Sequence, residues 1–279
     1  MRIISAYTVT QTVKAMFLKV GVRMDKDTKT ALLNACADED RTATKFALEI
    51  MTKNADIAEK TNTPLCQDTG MAIVFADIGQ NVVIEGGNLE DAINEGVRQA
   101  YAEGCFRKSV LNPITRKNTG DNTPAVIHYN IVPGEKLTLS VMAKGFGSEN
   151  MSRLFMLTPS EGIDGIKKAV VSSAVEAGGN PCPPVVVGVG IGGTMEKAAI
   201  MSKRALFRNI NSQNEQPELR QLEKEILAEI NLSGIGAQGF GGKLTALGVF
   251  IESFPTHLAG LPVAVTIQCH AVRHSTTTI

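Results

Sequence analysis

Five cysteines and four histidines carry the most specific chemistry in this chain, and their local settings divide them. Cys66 stands in "TNTPLCQDTG", between a proline turn and the polar triplet Gln67-Asp68-Thr69. A buried structural cysteine keeps apolar neighbours, whereas this one has a carboxylate two residues away. Cys182, in "GGNPCPPVVVG", and Cys269, in "TIQCHAVRH", also fall where a strand meets a loop, and such junctions are where folds present reactive groups. Cys36, in "ALLNACADED", follows a helical apolar pattern and reads as core, and Cys105, just past a helix end, is equally open to a packing role. An odd number of widely spaced cysteines in a long chain argues for reduced thiols over a disulfide framework. Their chemistry is then metal binding or nucleophilic attack. With no C-x-x-C pair, spacing alone leaves a shared metal and three separate thiols both open.

Among the histidines, His128 lies within a strand and reads as structural, while His257, in the turn "SFPTHLAGLP", is available for acid-base or hydrogen-bonding work. No His-x-x-His or His-Glu-x-x-His pattern occurs, which argues against a zinc hydrolase. Gly188, Gly190 and Gly193 match G-x-G-x-x-G between a strand and a helix, so an NAD-dependent dehydrogenase has to be weighed. About twenty residues on, where a ribose-binding acid should end a second strand, stands the loop "NINSQNEQ" instead. The competing reading is that these glycines let backbone approach backbone or a cofactor closely. "GFGGKLT" fails as a phosphate loop, because Leu244 occupies the place of the Ser or Thr that should follow the lysine.

The elements that must position these residues follow from periodicity. Val9, Val13, Phe17 and Val20 recur at helical spacing, Phe46, Ile50 and Ile57 repeat the pattern, and residues 1–60 read as a helical subregion. Strands are expected over Met71–Ile78 and Val82–Glu85, then a helix from Asn88 to about Gly104. "AVIHYNIV" and "LTLSVMAK", joined by "PGEK", read as an antiparallel hairpin, followed by "GFGSEN" as a loop. Thr158, Pro159 and Glu161 open a helix that Gly178-Gly179 can close. "VVVGVGIGG" is a buried strand, "TMEKAAIMSKRALF" and "PELRQLEKEILAEI" are helices, and "LTALGVFIES" and "PVAVTIQCH" are the final strands. The sum is a mixed α/β fold, with a helical N-terminal region and a mixed sheet on which helices pack.

A chain of 279 residues with 43% hydrophobic content can bury a substantial core and reads as one domain. Lys plus Arg and Asp plus Glu both total 28, so no global field attracts nucleic acid or an acidic membrane. The N-terminus lacks the apolar run of a signal peptide, and no segment approaches the roughly 18 apolar residues a membrane helix needs. A cytoplasmic protein acting on a small ligand is the expectation.

"TPLCQDTGMAIVF", "GGNPCPPVVVGVGIGGTMEKAA", "GIGAQGFGGKLTALGVF" and "PTHLAGLPVAVTIQCHAVRH" closely resemble the iron-sulfur (class I) fumarate hydratases, specifically the alpha subunit of the two-subunit form. The resemblance covers nearly the whole chain and implies one catalytic domain over residues 1–279, equivalent to the N-terminal iron-sulfur domain of that family. It implies that Cys66, Cys182 and Cys269 are thiolate ligands of a 4Fe-4S cluster whose fourth iron stays open to substrate. The reaction implied is the reversible hydration of fumarate to L-malate, a step of the tricarboxylic acid cycle. L-tartrate dehydratase is the rival with the same cluster and the same division into subunits. By the same resemblance Gln67, Arg107 and the backbone at Gly147 contact a dicarboxylate, while Asp68 and His257 serve catalysis, Asp68 in support of the base that handles the C3 proton. Phe146 departs from the family pattern, which carries glycine there. A beta subunit in an alpha2-beta2 assembly is expected to bring further cationic and hydroxyl groups.

Overall fold

The computed structural model describes residues 1–279. In chain order its elements are β1 (Arg2–Ser5), α1 (Ala6–Val22), α2 (Lys26–Asp38), α3 (Thr42–Thr61), β2 (Met71–Gly79), β3 (Val82–Glu85), α4 (Leu89–Glu103), β4 (Val126–Val132), β5 (Leu137–Lys144), α5 (Phe146–Glu149), β6 (Arg153–Leu157), α6 (Gly162–Ala177), β7 (Val185–Gly192), α7 (Met195–Ala205), α8 (Pro217–Leu232), β8 (Ala246–Phe254), β9 (Leu261–Gln268) and β10 (His274–Thr278). The mixed α/β class is as expected. No helix is long and apolar enough to cross a membrane. The chain forms two compact units: the first comprises residues 1–24, 54–146 and 273–279, the second residues 25–53 and 147–272.

The first unit is built on a four-stranded sheet in the order β10-β5-β2-β4. α1 starts where it does because the Ser5 hydroxyl accepts the Thr8 N–H at 3.0 Å, and α4 because Asn88 Oδ1 accepts the N–H groups of Glu90 and Asp91; each satisfies donors that a helix start leaves orphaned. Val9, Val13, Phe17 and Val20 all point into the core, against α4 and one face of β2 and β5. Strand pairing departs from the sequence reading. β4 and β5 do not form a hairpin: β2 lies between them, parallel to β4 and antiparallel to β5. β3 leaves β2 to pair with β1, a strand at the very start of the region read as helical. β10, which lies past the last strand expected from the sequence, closes the other edge against β5. The "GFGSEN" segment holds the one-turn helix α5 where a loop was expected.

The Phe46, Ile50 and Ile57 stripe, read as helical from its spacing, does lie on α3 and is 46–61% exposed. The buried positions of α3 include Leu48, Met51, Ala55 and Ala58, also at helical spacing.

The second unit centres on a sheet in the order β6-β9-β7-β8, with β7 parallel to β8 and antiparallel to β9. Alternation along β7 explains its composition. Val185, Val187, Val189 and Ile191 belong to the core formed with α6 and α8. Gly188 and Gly190 point the other way, to α7, where a Cβ would stand 2.1 Å from the Ser202 carbonyl oxygen and 2.0 Å from that of Ala198. No side chain fits at such distances, so these two glycines of the G-x-G-x-x-G match serve helix-on-strand packing. The Thr158 signal opens a short 3-10 turn over Pro159–Glu161, in which the Glu161 carboxylate accepts the Thr158 N–H at 2.7 Å; α6 itself starts only at Gly162, where φ is 52°, and Gly178, at φ 54°, ends it as read.

Candidate active site

In the first unit the "CQDTG" turn is an irregular segment leading into β2, and it is held from several sides. Cys66 and Asp68 are half-buried, Gln67 is exposed, and Thr69 and Gly70 are buried. The Asp68 carboxylate accepts the Phe146 N–H through Oδ2 at 2.7 Å and the Gly70 N–H through Oδ1 at 3.0 Å. Its backbone carbonyl accepts Arg273 Nη1 at 2.6 Å. The Tyr101 hydroxyl lies 2.9 Å from the Thr69 oxygen and 2.8 Å from that of Gly70, and Asn122 Nδ2 donates to the Gly70 oxygen at 3.2 Å. Arg273, Tyr101 and Asn122 are themselves buried to within 1%. Burial pushes the Tyr101 phenol well above its ordinary range; the Arg273 charge pulls it back and that of Asp68 raises it further. The phenol therefore stays a proton donor at any working pH.

Arg107 follows the buried Phe106, which packs edge-on against Tyr101 at 5.4 Å between ring centroids. With Phe106 inside, the next side chain is turned to solvent. The Thr69 hydroxyl donates to the Arg107 carbonyl at 2.8 Å, and Asn122 Oδ1 accepts the N–H groups of Ser109 and Val110. The structure thus ties the Asp68 turn to the Arg107 segment. Phe146, the departure from the resembled pattern, contributes its N–H to Asp68 while its ring is 48% exposed. A side chain at this position leaves that hydrogen bond intact.

In the second unit Cys182 lies in an exposed turn at φ 55°, and Cys269 follows the end of β9. The neighbouring His270 brings their segments together, its Nδ1 lying 2.9 Å from the Cys182 carbonyl oxygen. Gly147 belongs to the same neighbourhood: a methyl placed on it would stand 3.6 Å from the Asn180 oxygen, two residues before Cys182. His257 is exposed, and its Nδ1 accepts the Ala259 N–H at 3.2 Å, so the neutral ring carries its proton on Nε2. None of the five cysteines is in a disulfide. Within neither unit do three His, Cys, Asp or Glu side chains gather as a metal site by themselves. His128 packs on Phe75 at 4.8 Å between rings, in keeping with a structural role. Sequence reasoning passed over Arg273, Tyr101 and Asn122. The only signal for Arg273 was its place in "QCHAVRH", four residues beyond Cys269.

A sheet-based α/β chain with a carboxylate turn next to a thiol suits a dehydrating enzyme, and comparison with known proteins agrees. Residues 10–278 match the family described as "Fumarate hydratase (Fumerase)". This chain belongs to that hydro-lyase family. It is 43% identical over 273 residues to the Methanocaldococcus jannaschii protein named "Putative L(+)-tartrate dehydratase subunit alpha", covering 96% of both chains. It is 33% identical over 261 residues to the L(+)-tartrate dehydratase subunit alpha of Escherichia coli strain UTI89, covering 92% of this chain and 86% of that one. The K12 strain's subunit of the same name is 32% identical over the same length.

Proposed function

We propose that this chain is the alpha subunit of an iron-sulfur hydro-lyase that removes water from a hydroxydicarboxylate, with L(+)-tartrate as the first substrate. The observation that carries the reading is the Asp68 carboxylate, fixed by two backbone N–H groups two residues from Cys66. Tartrate is preferred over malate because the relatives named above carry tartrate in their names. The family description supports a second reading, in which the substrate pair is fumarate and L-malate.

Three thiols outside any disulfide, each in a segment between elements, are a donor set suited to a 4Fe-4S cluster, with Cys66, Cys182 and Cys269 supplying the thiolates. Such a cluster, when bound, supplies a Lewis acid for the departing hydroxyl. The chain's own groups do the rest. Arg107 clamps one carboxylate of the substrate with its guanidinium fork, and Gln67 and the Gly147 backbone complete its seat. Asp68 supports removal of the proton from the carbon next to the one that loses hydroxide, and the electron pair left behind forms the double bond. His257 offers Nε2–H to the oxygen that takes up charge. From malate the product is the unsaturated diacid; from tartrate it is an enol, which becomes a keto acid. The same reading takes residues 1–279 as one catalytic domain, with a beta subunit completing the site in an alpha2-beta2 assembly and the enzyme working in the cytoplasm.

The test is anaerobic co-production with the partner subunit, followed by assay of L-tartrate, D-tartrate, L-malate and fumarate. Keto acid from L-tartrate at a kcat/KM at least about tenfold above that for malate supports the first reading. The opposite ratio supports the second, and no turnover of any of the four defeats both.

A further inference from the structure

Arg273 is the group that the proposed reaction leaves unused. Its side chain is 1% exposed, Nη1 holds the Asp68 carbonyl, and Nε has no hydrogen-bond partner. A buried guanidinium with an unsatisfied donor lowers stability, so fold maintenance accounts poorly for it. Its surroundings point to Asp68. Lys144, fully buried at the end of β5, donates to the Gly145 carbonyl. A methyl placed on Gly145 would stand 3.1 Å from Asp68 Oδ2 and 3.2 Å from Arg273 Nη2. The missing side chain therefore leaves open the gap between carboxylate and guanidinium. Phe146, whose N–H fixes Oδ2, is the very next residue.

We propose that Arg273 is a positioning residue for Asp68: it pins the backbone of the turn and faces the carboxylate across Gly145, so that the oxygen not aimed at its own backbone keeps one orientation toward the substrate. The inference rests on the reading of Asp68 as the proton-handling group.

The test compares Arg273→Met, Arg273→Lys and Gly145→Ala in the anaerobically assembled holoenzyme. It measures kcat, KM and iron content, with hydrogen exchange at residues 66–71 and 145–147. Arg273→Met is expected to lower kcat about 100-fold with KM changed less than about threefold, the signature of a displaced reacting group. Iron content should hold while the Gly70 and Phe146 amides, which donate to Asp68, exchange faster. Arg273→Lys, which keeps the charge, should recover about tenfold of the loss, and Gly145→Ala should give the same split with Arg273 intact. Unchanged exchange at those amides overturns the proposal, as does faster exchange with undiminished kcat. A loss of iron and melting temperature in step with activity, the remaining holoenzyme keeping its kcat, marks a merely structural arginine and also overturns it. If the parent enzyme turns over neither tartrate nor malate, the proposed function falls and the exchange readout alone decides whether Arg273 holds Asp68.

Discussion

In the proposed reaction Asp68 and Arg107 divide the work that a dicarboxylate demands. Arg107, exposed beside a buried anchor, contributes binding, so Arg107→Ala is expected to raise KM about tenfold or more, alongside a fall in kcat/KM. Asp68→Asn removes the charge and keeps the shape, and is expected to lower kcat about 100- to 1,000-fold with little change in KM. Steady-state kinetics on the assembled enzyme separates the two, and the reverse pattern would exchange their roles. For the thiols, Ser at 66, 182 or 269 should abolish the brown absorbance and the bound iron and sulfide after anaerobic reconstitution. Cys36→Ser and Cys105→Ser should keep both. The candidate turn itself was legible in sequence, because a thiol beside a carboxylate after a proline argues against a packing role. Arg273 and Asn122 were not, since their partners in the turn lie 205 and 52 residues away in the chain, a separation over which no local pattern operates.

At the scale of elements, the packing of α7 on β7 depends on two absent side chains. Gly190→Val puts carbons against the backbone of Ala198, which cannot yield as a flexible side chain would, so a loss of about 3 kcal/mol or more is expected in urea unfolding. The loop carrying Arg107 is tied down by Asp121. Burial pushes the Asp121 carboxyl up, but the Thr123 N–H, the Arg98 guanidinium and the Thr123 hydroxyl together outweigh it and hold the group down at about 2. A carboxyl depressed in the folded state stabilises fully above its unfolded value of about 4 and loses that contribution as pH falls toward 2. Asp121→Asn should therefore lower the melting temperature at pH 5–7 and match the parent near pH 2. The start of α4 could be read at Asn88, and a capped turn at Thr158, because their signals are local. Strand partners could not: "PGEK" announces a hairpin between β4 and β5, yet β2, from an earlier stretch, takes the place between them. Nothing in either strand's alternation records which neighbour it will find.

On the scale of the whole molecule, the proposed function brings a dicarboxylate with two negative charges to the thiols, and Arg107 would clamp one of them. The second carboxylate, and the charge that grows as the proton leaves, need donors from the partner; each missing donor of this kind costs about 100- to 1,000-fold in rate. Titrating beta subunit into reconstituted alpha chain should raise tartrate or malate dehydration from near zero, and full turnover before any is added would place the complete site in this chain. The tie between Asp68 and Arg273 also bears on how the protein is made. Every buried member of the first unit's core lies between Ile4 and Ala143, so that core can consolidate during translation while Arg273 and β10 are still unsynthesised. The turn beside Cys66 receives its Arg273 tether from a residue made 205 positions after Asp68, so in this chain the Asp68 turn is pinned only well after the core around it has been synthesised.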